Sequence, residues 1–153
     1  MKKIILVILC FFLIYISYSF FEAFKPNTTI PSLQKYLTRT AKLGTQTYTL
    51  YIADSPKLQE QGLSNVKNMP SSAGMLFVFS KPNKYYFWMK DMKFPLDFVF
   101  IRNNVVIDTL ENIDPNSYPK AFTAISPFDS VLELNNGEIL KSNVIIGDTL
   151  QGR

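Results

Sequence analysis

A chain of 153 residues, 47% hydrophobic and 14% aromatic, holds one domain plus an N-terminal extension and is too apolar for general disorder. Removing Lys2 and Lys3 of that extension from the 16 basic residues leaves 14 against 12 acidic ones, about +2, too even for a nucleic-acid surface. There is no histidine and only Cys10, which excludes a Ser-His-Asp or Cys-His mechanism, His-ligated metals, an intrachain disulfide and CxxC chemistry.

Lys2-Lys3 is followed by the hydrophobic run Ile4–Phe21, whose only clearly polar members are Ser17 and Ser19. A positive start before a run of that length reads as a signal anchor or a secretory signal peptide, with the N-terminus inside and Glu22 onward outside. Ser17-Tyr18-Ser19 is an acceptable cleavage site, so a released form is the alternative; Leu9 before Cys10 argues against a lipoprotein. Residues 22–40, with Pro26 and Pro31 among Asn, Thr and Ser, show no period and read as a spacer. Asn27-Thr28-Thr29 is a formal glycosylation sequon, meaningful only in a glycosylating host.

The domain is expected over 41–153. Thr45–Ala53 alternates Tyr48, Leu50 and Ile52 against Thr47, Thr49 and Tyr51, the period of a strand. Asp54-Ser55-Pro56 starts a short helix over Lys57–Leu63, closed near Gly62, and Ser64–Gly74 is loop. Met75–Phe79 is an apolar strand, and Lys81-Pro82-Asn83 a turn. On a strand over Lys84–Lys93, Tyr86, Trp88 and Lys90 share one face, Phe87 and Met89 the other. Phe94-Pro95-Leu96 bends the chain into a buried strand, Asp97–Arg102. Asn103-Asn104 then makes a two-residue hairpin with Val105–Leu110, because Asn tolerates positive φ. After a loop over Glu111–Asp129 come a strand, Ser130–Leu134, a turn at Asn136-Gly137, a helical turn over Glu138–Lys141 and a last strand, Val144–Leu150. This pattern predicts a mainly β single domain, a compact antiparallel sandwich or barrel with one or two short helices, behind the N-terminal transmembrane or signal helix.

Chemistry concentrates in Gly74–Ile101, where Lys90, Asp91, Lys93 and Asp97 interrupt apolar runs. Trp88, Tyr86 and Lys90 offer an aromatic platform, a phenol and a cation, suited to a sugar ring or an anionic group. The plain structural reading buries Trp88 in the core and lets Lys90 snorkel. Asp97 is either a working carboxylate or a turn cap, and an ion pair with Lys90 serves both readings. Alternation puts Glu133 with Val131 and Asn135, away from Leu132 and Leu134, and the plain reading is a solvated strand face. Asp108, Glu111 and Asp114 lack calcium-loop spacing, so no metal or cofactor is expected. Ser64, Ser71 or Ser72 with Lys90 would be a histidine-free dyad that nothing in the spacing selects.

GMLFVF, FWMK, PLD with FVFI, VLELN-x-G and I-x-x-GD form an ordered series over Thr45–Leu150 that resembles the family called domain of unknown function 192. The residues that match its motifs are Gly62, Leu63, Gly74, Trp88, Met89, Lys90, Pro95, Leu96, Asp97, Glu133, Leu134, Asn135 and Gly137. The resemblance implies a compact β-rich domain, often behind a signal peptide, and brings no activity with it. The chain departs at Asp91, where the family usually has Asn, and at Ser64 and Val66, where it commonly has Met and Arg. If that arginine contacts a ligand in relatives, the contact is lost or replaced here. The expectation is therefore an uncharacterised extracytoplasmic module at a prokaryotic membrane, attached through its N-terminal helix or secreted. It would bind a small molecule, a glycan or a protein through Trp88, Lys90, Asp97, Glu133 and Tyr86. The alternative is an envelope hydrolase or lyase using lysine and carboxylates as acid and base.

Overall fold

The computed structural model describes residues 31–152; the expected N-terminal helix over 1–21 lies outside the described residues. Among those described, no helix is long and apolar enough to cross a membrane.

The domain is mainly β. Strands β1 (Leu37–Leu43), β2 (Gln46–Ala53), β3 (Ala73–Asn83), β5 (Leu96–Arg102), β6 (Val105–Ile113) and β8 (Phe128–Asn135) form one sheet in the order β1-β2-β3-β8-β5-β6. Two short strands, β4 (Phe87–Trp88) and β7 (Ala121–Phe122), pair separately. The α-helices among the described residues are α1 (Pro56–Gln61) and α2 (Glu138–Lys141). Antiparallel pairing dominates, but β2 and β3 run parallel. Parallel neighbours need a crossover, and residues 54–72 with α1 supply it.

Both faces of the sheet are covered, because β2, β3, β5 and β8 carry apolar side chains on both sides. One core contains Tyr48, Leu50, Leu76, Val99, Ile101 and Leu132, with Ile139 of α2 and Leu150 closing over it. The other is aromatic: Phe87 meets Phe77 edge-on at 5.1 Å and Phe98 at 5.7 Å. Asn103 and Asn104 adopt φ of 51° and 67°, as the expected β5–β6 hairpin requires.

Four expectations are corrected. The spacer ends earlier than residue 40: Leu33 and Tyr36 are buried, and β1 pairs with β2 from Leu37↔Ile52 to Leu43↔Gln46. β1 is an edge strand with only Ala41 and Leu43 buried, so it carries almost no hydrophobic period. The Lys81-Pro82-Asn83 turn is instead the irregular end of β3, where pairing to β8 shifts between Val78 and Asn83. The strand over Lys84–Lys93 shrinks to Phe87–Trp88, because Asp91 turns the chain at φ 60°.

The last strand, Val144–Leu150, does not form; the segment turns at Gly147 (φ 100°) and joins both sheet edges. Gln151 exchanges backbone hydrogen bonds with Lys42 of β1, Leu150 N–H donates to Asn104, and Val106 N–H of β6 donates to Asp148. The segment thus ties β1 to β6, and blocks both from pairing with another chain there.

Gly44 turns the β1–β2 hairpin at φ +56°, and a Cβ there would collide with the Ser142 carbonyl oxygen. That oxygen accepts from both the N–H and the hydroxyl of Thr45. Gly44→Ala is expected to cost more than about 2 kcal/mol, read from the urea unfolding midpoint. An unchanged midpoint would show that the hairpin relaxes freely.

Candidate functional site

The site forms where α1 and its exit pack beside β3, β8 and the approach to β4. Gln59 fastens α1 to the sheet by donating from its side-chain amide to the carbonyls of Val78 (2.7 Å) and Ala53 (3.3 Å). The helix ends at Gly62, where φ of 47° favours glycine. Tyr36 donates its hydroxyl to the Gly62 carbonyl at 2.9 Å and holds this turn down. Just beyond this turn, Ser64 donates its hydroxyl to the Lys90 carbonyl (3.1 Å) and Asn65 N–H donates to the Asp91 carbonyl (2.9 Å). Two loops distant in sequence are thereby locked together.

Between them lies a cavity of about 380 Å3. It is lined by the aromatic residues Phe77, Phe79, Tyr85, Tyr86, Phe87 and Trp88, by residues 59–64 and Met92, and by the buried Glu133. Tyr85 stacks on Phe79 with ring centres 3.7 Å apart and donates its hydroxyl to the Lys81 carbonyl, so that part of the lining is rigid. Tyr86 and Trp88 are 62% and 52% exposed, which places them at the mouth. Phe87 and Met89, on the alternate positions, are buried. The sidedness expected of this stretch holds, and Trp88 is not a core residue.

Glu133 is only 6% exposed, and the solvated face expected for it is corrected. Its alternation with Val131 and Asn135 is right, but that face looks into the aromatic core, with Met75 and Phe98 paired on either side. No hydrogen bond or ion pair reaches the Glu133 carboxyl from any described residue. Burial raises its pKa from 4.5 to about 8, so the group is mainly protonated at neutral pH. Tyr36, nearby, is pushed up to about 12, first by its own burial and then by the charge on Glu133.

Asp97 and Lys90 do not join this site. Asp97 is fully buried on the other face of the sheet, where it accepts from the backbone N–H of Asn112 (2.9 Å) and of Ile139 (3.1 Å). It caps, as one reading of the sequence held, but it caps β6 and α2 rather than the Phe94–Leu96 turn. Lys90 is exposed, and the Lys90–Asp97 ion pair that would have served either reading is absent. The loop acids are likewise occupied locally: Asp108 accepts from the N–H of Thr109 and Ile125, and Asp114 from that of Asn116. Among the described residues, no three His, Cys, Asp or Glu converge as metal ligands would.

Of the five candidates, the fold brings Trp88, Tyr86 and Glu133 to one cavity and separates Lys90 and Asp97 from it. The sequence reading did not anticipate the contribution of residues 59–64, Phe77, Phe79 and Tyr85. Only the clustering of FVF and YYFW hinted at an aromatic wall; the partnership with α1 is tertiary.

A model of the family DUF192, described as "Uncharacterized ACR", matches residues 38–152. No curated protein matches the chain. A crystal structure from Sinorhizobium meliloti 1021, provisionally described as a transcription regulator, is similar with a TM-score of 0.73 at 32% identity, covering 76% of this chain and 95% of that one. A protein of unknown function from Novosphingobium aromaticivorans DSM 12444 shares the fold, with a TM-score of 0.69 at 24% identity and coverage of 76% and 84%. The motifs running from Trp88 to Gly137 and the match over the whole described domain agree: the chain belongs to the DUF192 family.

Proposed function

We propose that this protein is a non-catalytic binding module that takes a small molecule into the aromatic cavity, held at the outer face of a membrane by its N-terminal segment. One observation carries the binding reading: a buried carboxyl, without a partner among the described residues, in a cavity lined by six aromatic side chains. Largely apolar cavities with a few convergent polar groups are the usual form of ligand sites. The support for the location is the sequence alone, Lys2-Lys3 before Ile4–Phe21. The near balance of charge gives no support for carrying over a transcription-regulator role from the Sinorhizobium protein.

Trp88 is the sole tryptophan and stands at the mouth, so its emission reports occupancy directly. Full-length protein in nonionic detergent, titrated with sugars, short peptides, organic cations and organic anions, is expected to show a red-shifted emission that one class moves. An emission indifferent to every class would overturn the binding reading.

The alternative is an envelope hydrolase or lyase. A carboxyl kept protonated at neutral pH is what a general acid needs, and Glu133 favours this reading. Lys90, the expected partner, does not line the cavity, so the acid–base pair would need Glu60 or Ser64 instead. Turnover of an envelope substrate that vanishes in Glu133→Gln would establish it.

A further inference from the structure

We propose that the ligand of this cavity is a small organic cation, a quaternary ammonium or amine, with Glu133 as its counter-charge. This rests on the small-molecule reading above and names the chemical class.

Three features of the lining point the same way. First, it holds two carboxyl groups, Glu60 and Glu133, and no lysine or arginine, in a chain whose net charge is +4. Second, six aromatic side chains face it, and the negative faces of such rings attract cations. Third, most of its side-chain donors are already committed, leaving the Tyr86 hydroxyl and the Trp88 indole N–H at the exposed mouth. Gln59 donates to Val78 and Ala53, Gln61 to the Ser64 carbonyl, Ser64 to Lys90 and Tyr85 to Lys81. An anionic ligand would find little to receive it. A cation would meet the one buried carboxyl of the cavity, which has no partner among the described residues, and would replace the water that burial strips from the carboxylate.

The titratable groups around Glu133 are Tyr36, which feels its charge, and those that share the cavity with it. Tyr36 precedes β1, Glu60 lies on α1, and Tyr85 and Tyr86 precede β4. From β3 and β5 only Met75 and Phe98 stand beside it. No cation in this set competes for the carboxylate. Binding then proceeds as a protonated Glu133 plus the cation giving the ion pair and one released proton. Affinity should rise about tenfold per pH unit from pH 6 to pH 7 and level off above pH 8.

The test uses three probes of one shape: choline, its neutral carbon isostere dimethylbutanol, and the anion tert-butylacetate. Trp88 emission of the full-length protein in nonionic detergent is followed across pH 6–9. Choline is expected to shift the emission with the stated pH profile. Glu133→Gln should weaken choline at pH 8 by at least about tenfold and leave dimethylbutanol unchanged. The pH profile of the unaltered protein stands independently of how that variant folds. Dimethylbutanol or tert-butylacetate binding as well as choline, without the pH rise, overturns the cation class and leaves the small-molecule reading intact. Silence from all three, with a response to another ligand class, has the same meaning. Silence from every class overturns both.

Discussion

Replacing Glu133 with Gln is expected to raise the thermal midpoint on the order of 10 °C at pH 8 and leave it essentially unchanged at pH 4. The sign follows from the direction of the shift. Burial lifts the folded-state pKa from 4.5 to about 8. Below pH 4.5 both folded and unfolded forms hold the proton, and the full contribution is present. Between pH 4.5 and 8 the unfolded chain ionises while the fold keeps its proton, so stability declines with rising pH; above pH 8 the loss is complete. Glutamine keeps the shape and removes the titration, a gain of about 3 kcal/mol by pH 7. Differential scanning at the two pH values decides it. A variant no more stable than its parent at pH 8 would mean that Glu133 is ionised and partnered in the folded protein.

Asp97→Ala, by contrast, is expected to cost roughly 3–5 kcal/mol, a large share of the stability of a domain this size. The carboxylate is fully buried and accepts two backbone N–H groups. One belongs to Asn112, which turns β6 with φ of 53°; the other belongs to Ile139 in the first turn of α2. Alanine orphans both donors, the Ile139 N–H inside the protein and the Asn112 N–H partly buried. Asp97→Asn retains one acceptor and should fall between, while Lys90→Ala, fully on the surface, should stay within about 0.5 kcal/mol. Urea unfolding of the three variants separates these outcomes. An Asp97→Ala protein within 1 kcal/mol of its parent would return Asp97 to the list of working carboxylates.

The correct expectations came from places where local chemistry and tertiary context agree. Asn103-Asn104 makes its hairpin because two adjacent asparagines tolerate the positive φ it needs. Glu138–Lys141 is helical as read, started by Gly137 at φ 84°. Thr45–Ala53 alternates because β2 places Tyr48, Leu50 and Ile52 in one core. The failures have an equally local cause. β1 is held by its backbone ladder to β2 and needs few apolar side chains, so LTRTAKL looks like a linker. Val144–Leu150 has strand composition, yet Gly147 turns it and exposes Ile145 and Ile146.

Composition and strand period were enough for the class of the domain, mainly β, and for the two-sidedness of its central strands. They also set which residues alternate: Tyr86 and Trp88 against Phe87 and Met89, Glu133 against Leu132 and Leu134. What covers each side was settled by packing between distant segments. A period of two assigns side chains to faces but carries no information about what packs on them. The crossover through α1 and the lock between Ser64 and Lys90 put a cavity over the face that bears Glu133. The opposite face received α2, whose first turn needed an acceptor, and Asp97 was the acceptor within reach. Two carboxylates that look alike in sequence thus came to differ: one holds the fold together, and the other is left without a partner in an aromatic cavity.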